Sequence, residues 1–331
     1  MNSTAKPPNV AVAMTQPAAA KATSDRVRHR TTTIRRKPTL RRAPAEATSE
    51  TPRADPVLRD AASTARNDAV GSGIAVDPFG FDRAYAERLA PFLGFLFDHY
   101  FRCTVTGESN IPLQGGALLV GNHAGTLPYD GAMVMTAVRR ATSGARFARP
   151  LGDDFAFRRP PVATWLSRIG VVRATPDNAH RLLSAGEIAL VFPEGTRGLG
   201  KFFAERYRLT RFGRGGFVKV ALRAGVPIIP VAVVGSEEAH PLLAQIPWLA
   251  RLFGLPYFPV TPTFPWLGPL GLVPLPTKFF IRFGEPLALT DSAASIERSS
   301  DRLAELTEIV RTRVQAMIDE LLAVRRSVFL G

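Results

Sequence analysis

Between Cys103 and Phe283 the chain alternates short apolar runs with amphipathic stretches, and several of the runs are apolar without interruption. A strand buried on one face alternates apolar and polar residues, whereas a strand covered on both faces reads as a continuous apolar run. Cys103–Thr106, Ala117–Gly121, Gly170–Arg173, Ile188–Phe192, Ile228–Val234 and Phe279–Phe283 read as strands. Between them, Tyr129–Arg140, Pro161–Ile169, Pro176–Ala185 and Gly216–Ala224 read as helices. This order predicts an α/β fold: a single domain with a largely parallel central sheet flanked by helices. A long amphipathic helix, Ile296–Val324, is expected to close the domain through Leu303, Leu306, Val310, Val314, Met317 and Leu321.

The N-terminal quarter is different in kind. Residues 1–73 carry 13 basic and six acidic side chains and no Phe, Trp or Tyr, so half of the chain's net +14 lies there. Such a segment cannot bury enough apolar surface to offset its chain entropy, and 1–76 is expected to be a disordered basic tail ahead of a domain at 77–331. Attraction to an anionic membrane, worth about 1 kcal/mol per Lys or Arg near the surface, is one reading of the tail. A solvated extension is the other. Nucleic acid is not an expected partner, because the tail has no aromatics for base stacking and the folded part has no recognition motif. The lone cysteine, Cys103, excludes an internal disulfide and a four-cysteine zinc site. No run of 18 apolar residues reads as a spanning helix and no secretory signal is evident, so the default compartment is cytoplasmic; with the tail read as attracted to a membrane, the expected location is peripheral, on its cytoplasmic side.

Two stretches carry unusual apolar surface. Phe81–Arg102 has a helical pattern despite Pro91, with a broad face of Leu89, Phe92, Leu93, Leu96, Phe97 and Tyr100 that suits either a membrane interface or a packed core. Leu252–Thr277 has seven prolines and no charge in 26 residues. That proline density excludes a spanning helix. A loop of this length with Trp266, Phe253, Phe258, Phe264 and Tyr257 is expected to cover an apolar substrate tunnel, to dip into a lipid interface, or to form a buried cap.

The chemistry-bearing residues follow two strand ends. Gly121–Asp130 reads GNHAGTLPYD, which places His123 at the carboxyl mouth of a buried strand and Asp130 in the first turn of the next helix. Open α/β sheets bind ligands at that edge, and a carboxylate there is favoured by the helix dipole. Asp130 can turn back to accept the imidazole Nδ1–H, leaving Nε2 free to take a proton from a hydroxyl. Val191–Gly198 reads VFPEGTRG, where Glu194, Gly195, Thr196 and Arg197 form a candidate clamp for a phosphate or carboxylate. Arg197 supplies a planar guanidinium, Gly195 allows close backbone approach and Thr196 adds a hydroxyl.

Together these motifs resemble the glycerophospholipid acyltransferase family, which includes the 1-acylglycerol-3-phosphate acyltransferases. Asn122, His123 and Asp130 match its first motif, Phe192–Arg197 its third in full, Gly170–Arg173 its second loosely, and Val226–Val231 its fourth. In this chain six residues separate the histidine from the aspartate, where the family usually has four. The resemblance implies that His123, oriented by Asp130, deprotonates an acceptor hydroxyl for attack on an acyl thioester. Glu194, Gly195, Thr196 and Arg197, with Arg173 nearby, would hold the acceptor's phosphate. It implies no metal or cofactor, only acyl-CoA or acyl-carrier protein as co-substrate, and a lysophospholipid acceptor such as 1-acylglycerol-3-phosphate. A neutral mono- or diacylglycerol acceptor, or a non-catalytic lipid-binding role on the same fold, are the alternatives. No G-x-S-x-G elbow is present, and Gly213–Gly216 lacks the residues of a P-loop.

Overall fold

The computed structural model describes residues 76–331, apart from Ala124 and the side chain of Glu297; the expected basic tail lies outside the described residues except for Val76. In chain order the first elements are α1 (Arg83–Phe95), β1 (Thr104–Thr106), β2 (Ala117–Gly121), α2 (Tyr129–Ala141), β3 (Ala148–Gly152) and α3 (Pro160–Arg168). There follow β4 (Val172–Arg173), α4 (Pro176–Ser184), β5 (Ile188–Val191), α5 (Thr196–Leu199), α6 (Gly216–Ala224) and β6 (Ile228–Val234). The remainder comprises α7 (Ser236–Ala239), β7 (Ala244–Gln245), α8 (Pro247–Phe253), β8 (Pro259–Val260), β9 (Phe280–Phe283), α9 (Ala293–Arg298) and α10 (Ser300–Val324).

Seven strands form one sheet in the order β1-β9-β6-β2-β5-β3-β4, and β7 pairs with β8 apart from it. Every neighbouring pair in the large sheet is parallel except β6 with β9. The α/β fold with a largely parallel sheet is therefore as the sequence pattern implies. Pro230 sits opposite Gly284, whose N–H donates to the Pro230 carbonyl at 2.8 Å. The reciprocal bond is the one a proline lacks, and it falls where the antiparallel pairing with β9 ends, so the ladder to β2 stays intact.

Both sheet faces are covered, and side-chain alternation divides the core between them. Leu118, Val120, Ala189, Ile228, Ala232 and Val234 pack under α4, α6 and α10. Their immediate neighbours Leu119, Ile188, Leu190, Ile229 and Val233 pack with α2 and with Phe97 and Phe101 on the opposite side. This is why β2 and β6 read as unbroken apolar runs: each is buried along its whole length.

The boundaries differ from the sequence reading at three places. The final helix is interrupted at Ser299, whose extended backbone and side chain, accepting the Arg302 N–H at 3.3 Å, start α10 afresh. Helix α1 continues into a π-helical turn at Leu96–Tyr100, and its apolar face is divided: Phe97 and Phe101 are buried, Phe92 and Phe95 exposed. Leu252–Thr277 is only partly a loop, because it begins in α8 and contains β8 and a 3₁₀ turn at Gly268–Leu272. Among the described residues no helix is long and apolar enough to cross a membrane.

Candidate active site

Three adjacent parallel strands, β6, β2 and β5, end side by side, and their following loops meet at His123. Asn122 locks this edge. Its side-chain amide donates to the Val233 carbonyl at 2.9 Å and accepts the Val233 N–H at 2.8 Å, so β2 is tied to β6 one residue past its own end. His123 follows directly, its ring stacked on Phe192 with centroids 4.3 Å apart and planes 7° from parallel. Phe192 is the residue just past β5, so each of the three strand ends contributes to placing the imidazole.

His123 Nδ1 lies 2.8 Å from Oδ2 of Asp130, whose side chain is fully buried. Oδ1 of the same carboxylate accepts the Gly131 N–H at 2.7 Å. An acceptor-only carboxylate on Nδ1 selects the tautomer with its proton there, which leaves the Nε2 lone pair for a substrate proton. Among the described residues Nε2 has no hydrogen-bond partner.

The six-residue spacer is accommodated by bracing. Gly125 has φ +87°, and a Cβ there would stand 2.5 Å from the Ser236 carbonyl oxygen, so the loop lies against α7 too closely for any side chain. The Thr126 hydroxyl donates to the His240 carbonyl at 3.0 Å, and the Tyr257 hydroxyl donates to the Thr126 carbonyl at 2.7 Å. Burial raises the Tyr257 phenol's pKa, with the charge of Asp130 adding to it, so Tyr257 stays a donor.

The third-motif residues divide into two groups. Glu194 was expected in the substrate clamp, but it is buried and its carboxylate faces inward. One oxygen accepts the His123 backbone N–H at 3.2 Å; the other accepts the Thr210 N–H and hydroxyl at 2.8 and 2.9 Å. A carboxylate so engaged braces the histidine loop, and as an acceptor-only anion it offers no hydrogen bond to an anionic substrate. Gly195, at φ +57°, turns the chain in a conformation suited to glycine, and Thr196 opens α5 half-buried. Arg197 points outward, exposed and without an ion pair among the described residues. Arg173 stands on a different strand end and is engaged by another carboxylate. It ends β4, two strand positions or about 10 Å along the sheet edge from β5, whose loop carries the third-motif residues, and it pairs with Asp154 at 3.5 Å.

Behind Glu194 lies a buried charge network that the sequence reading missed. Lys201 Nζ stands 3.7 Å from Glu194 and 3.2 Å from Glu237, with its side chain 3% exposed. Glu237 accepts the Tyr207 N–H at 3.0 Å, the Tyr207 hydroxyl bonds Glu238, and Arg325 pairs with both oxygens of Glu238 at 3.0 and 2.8 Å. Desolvation pushes the Glu237 carboxyl up to about 7 despite the Lys201 charge beside it. Gly198 was also missed: a Cβ there would stand 2.7 Å from the His123 carbonyl oxygen. These contacts join residues distant in sequence, and no local pattern announces them.

A histidine–carboxylate pair at the carboxyl edge of a parallel sheet is an arrangement chemically able to take a proton from a hydroxyl. Residues 102–234 match the family model described as Acyltransferase. An uncharacterized protein of Mycobacterium leprae is 51% identical over 257 residues, which cover 77% of this chain and 70% of that one. An uncharacterized protein of Mycobacterium tuberculosis is 48% identical over 258 residues, 78% of this chain and 72% of that one. The human protein named DGAT1/2-independent enzyme synthesizing storage lipids is 27% identical over 219 residues, covering 65% of this chain and 60% of its own length. Among solved structures, the 1-acyl-sn-glycerophosphate acyltransferase of Thermotoga maritima aligns over 82% of this chain and 97% of its own, at 20% identity and a TM-score of 0.48. The chain belongs, with these mycobacterial relatives, to the family whose model is described as Acyltransferase.

Proposed function

We propose that the protein moves a fatty acyl group from an acyl thioester, acyl-CoA or acyl-carrier protein, to the hydroxyl of a lysophospholipid, with 1-acylglycerol-3-phosphate the favoured acceptor. The observation that carries this reading is the 2.8 Å bond between His123 Nδ1 and the fully buried Asp130 carboxylate. His123 Nε2 takes the acceptor's hydroxyl proton as its oxygen bonds to the thioester carbonyl carbon. The tetrahedral oxyanion then collapses, the carbon–sulfur bond breaks, and the imidazolium returns the proton to the departing thiolate. Asp130 stabilises the imidazolium between the two transfers. Arg197, exposed beside the mouth, binds the acceptor's phosphate, with Gly195 and Thr196 shaping its loop. The enzyme works from the cytoplasmic side, peripherally attached to the membrane that holds its acceptor.

A neutral mono- or diacylglycerol acceptor is the second reading. It is favoured by the relatives named for storage-lipid synthesis and by the engagement of Arg173 with Asp154. Thiol release from acyl-CoA in detergent, measured across lysophosphatidate, other lysophospholipids and neutral glycerides, decides between them. The expected result is release that depends on lysophosphatidate and disappears in folded His123→Ala. Arg197→Glu is expected to abolish use of the phosphorylated acceptor while affecting a neutral one less. Equal loss on both acceptors would remove the phosphate-binding role, and no release with any acceptor would favour a carrier-protein donor or a binding role.

A further inference from the structure

The stretch Pro241–Thr277 contains one charged residue, Arg251, in 37 positions. Of the 20 large hydrophobic side chains exposed among the described residues, ten fall within it. Trp248 is 62% exposed, Leu252 70%, Trp266 73% and Leu270 73%. Ordinary surfaces scatter such residues singly, and a concentration of this kind marks an interaction site.

Its two halves are one unit. The face of α8 carrying Trp248 and Leu252 connects to the turn carrying Trp266 and Leu270 through stacked Phe253 and Phe258 (5.9 Å) and Phe258 against Phe264 (5.4 Å). The unit also grips the catalytic loop at both ends. Tyr257 donates to Thr126, and the Tyr129 hydroxyl, one residue before Asp130, donates to the Leu272 carbonyl at 3.3 Å. The apolar surface therefore borders the mouth that His123 occupies.

We propose that this surface, Trp248 and Leu252 of α8 with Trp266 and Leu270 of the following turn, seats the active-site mouth on an anionic lipid bilayer. The chemistry selects a bilayer over a protein groove. Tryptophan and leucine without carboxylates suit the headgroup–acyl boundary. The nearby charges are cationic: Arg251 projects from α8, and exposed Arg159 donates to the Phe253 carbonyl at 3.2 Å. Such a rim complements anionic headgroups. The inference deepens the acyl-transfer reading, because a seated mouth receives its acceptor without carrying an acyl chain through water.

The test uses full-length chains that keep a single tryptophan, Trp248 or Trp266, with the other two of the chain's three replaced by Phe. Each is mixed with vesicles of phosphatidylcholine and phosphatidylglycerol containing bromine-labelled acyl chains, which quench an indole inserted among them. Both tryptophans are expected to be quenched and blue-shifted. Trp266→Glu combined with Leu270→Glu is expected to weaken vesicle binding by roughly tenfold or more, and Arg251→Glu to weaken it only when phosphatidylglycerol is present. Binding without quenching of either tryptophan would overturn the proposal by placing attachment elsewhere, the N-terminal segment included. Failure to bind, or self-association that shields both indoles without vesicles, would also overturn it. Turnover of a water-soluble short-chain acyl-CoA and acceptor without vesicles is expected to survive Trp266→Glu/Leu270→Glu. Absence of His123-dependent turnover in the unaltered chain would reject the acyl-transfer reading, while the quenching result would still decide the docking surface.

Discussion

Glu194 accepts the backbone N–H of His123 through one carboxylate oxygen and holds Thr210 through the other. The residue that looks like a substrate ligand in the third motif thus works on the histidine from behind. Glu194→Gln replaces one acceptor oxygen with a donor facing donors, so either His123 or Thr210 loses its partner. The expected cost is about 1–3 kcal/mol of stability. Displacing the imidazole loop is expected to lower kcat by up to roughly 10²-fold. The KM for the acceptor should change little, in contrast to Arg197→Glu. Steady-state kinetics of the two variants side by side separate bracing from binding, and a large KM increase in Glu194→Gln would contradict the assignment.

Asp130→Asn preserves shape while losing the charge that, in the proposed mechanism, stabilises the imidazolium. The expected fall in kcat is roughly 10²–10⁴-fold, with circular dichroism unchanged. Near-normal turnover in this variant would mean that the 2.8 Å contact with His123 is structural only.

Gly198→Ala introduces a Cβ 2.7 Å from the His123 carbonyl oxygen and 2.8 Å from the His123 Cβ. Neither neighbour is a flexible side-chain end, so the loop must move. Overpacking of this kind costs about 1–3 kcal/mol, and a drop in kcat is expected to accompany the lowered melting temperature. A variant with normal turnover would show that the histidine loop tolerates displacement.

The Glu237 carboxyl sits at about 7 in the folded chain, above the ordinary 4.5. Between those values the native state holds a proton that the unfolded state has released. Stability therefore falls as pH rises from about 4.5 to about 7 and levels off above, by about 3 kcal/mol from this group. Urea denaturation across that range is expected to show the decline, and Glu237→Gln to flatten it. Lys201→Met leaves Glu194 and Glu237 without the cation between them, with an expected loss of about 3–5 kcal/mol.

Where an element is specified by its own composition, the sequence is a sufficient guide. β2 and β6 are buried on both faces, and their unbroken apolar runs mark them residue for residue. His123 and Asp130 were legible because their separation places them on one loop and the helix it enters. By contrast β3 (ARPLG) escaped notice, since Arg149 and Pro150 break its apolar pattern. Arg149 is nonetheless 1% exposed: it donates to the Gly170 carbonyl at 2.9 Å and pairs with Asp77 at 2.7 Å. A charge buried by a partner 72 residues away leaves no local signature. Glu194 misled for the same reason, because its partners sit 71 and 16 positions away, and a carboxylate beside an arginine reads as part of a ligand clamp until its direction is known.

Arg325, just beyond α10, has a further consequence for how the protein is made. Synthesis delivers the two motif loops long before it delivers this arginine, which closes a chain of contacts running through Glu238, Tyr207, Glu237 and Lys201 to the Glu194 that holds His123. Until then Glu238 lacks its counter-ion, and the sheet lacks the cover that α10 lays over β6. The support behind His123 is therefore a late-formed one in folding order: a chain whose two motif loops have met still needs α10 to dock before the network at Glu194 is complete.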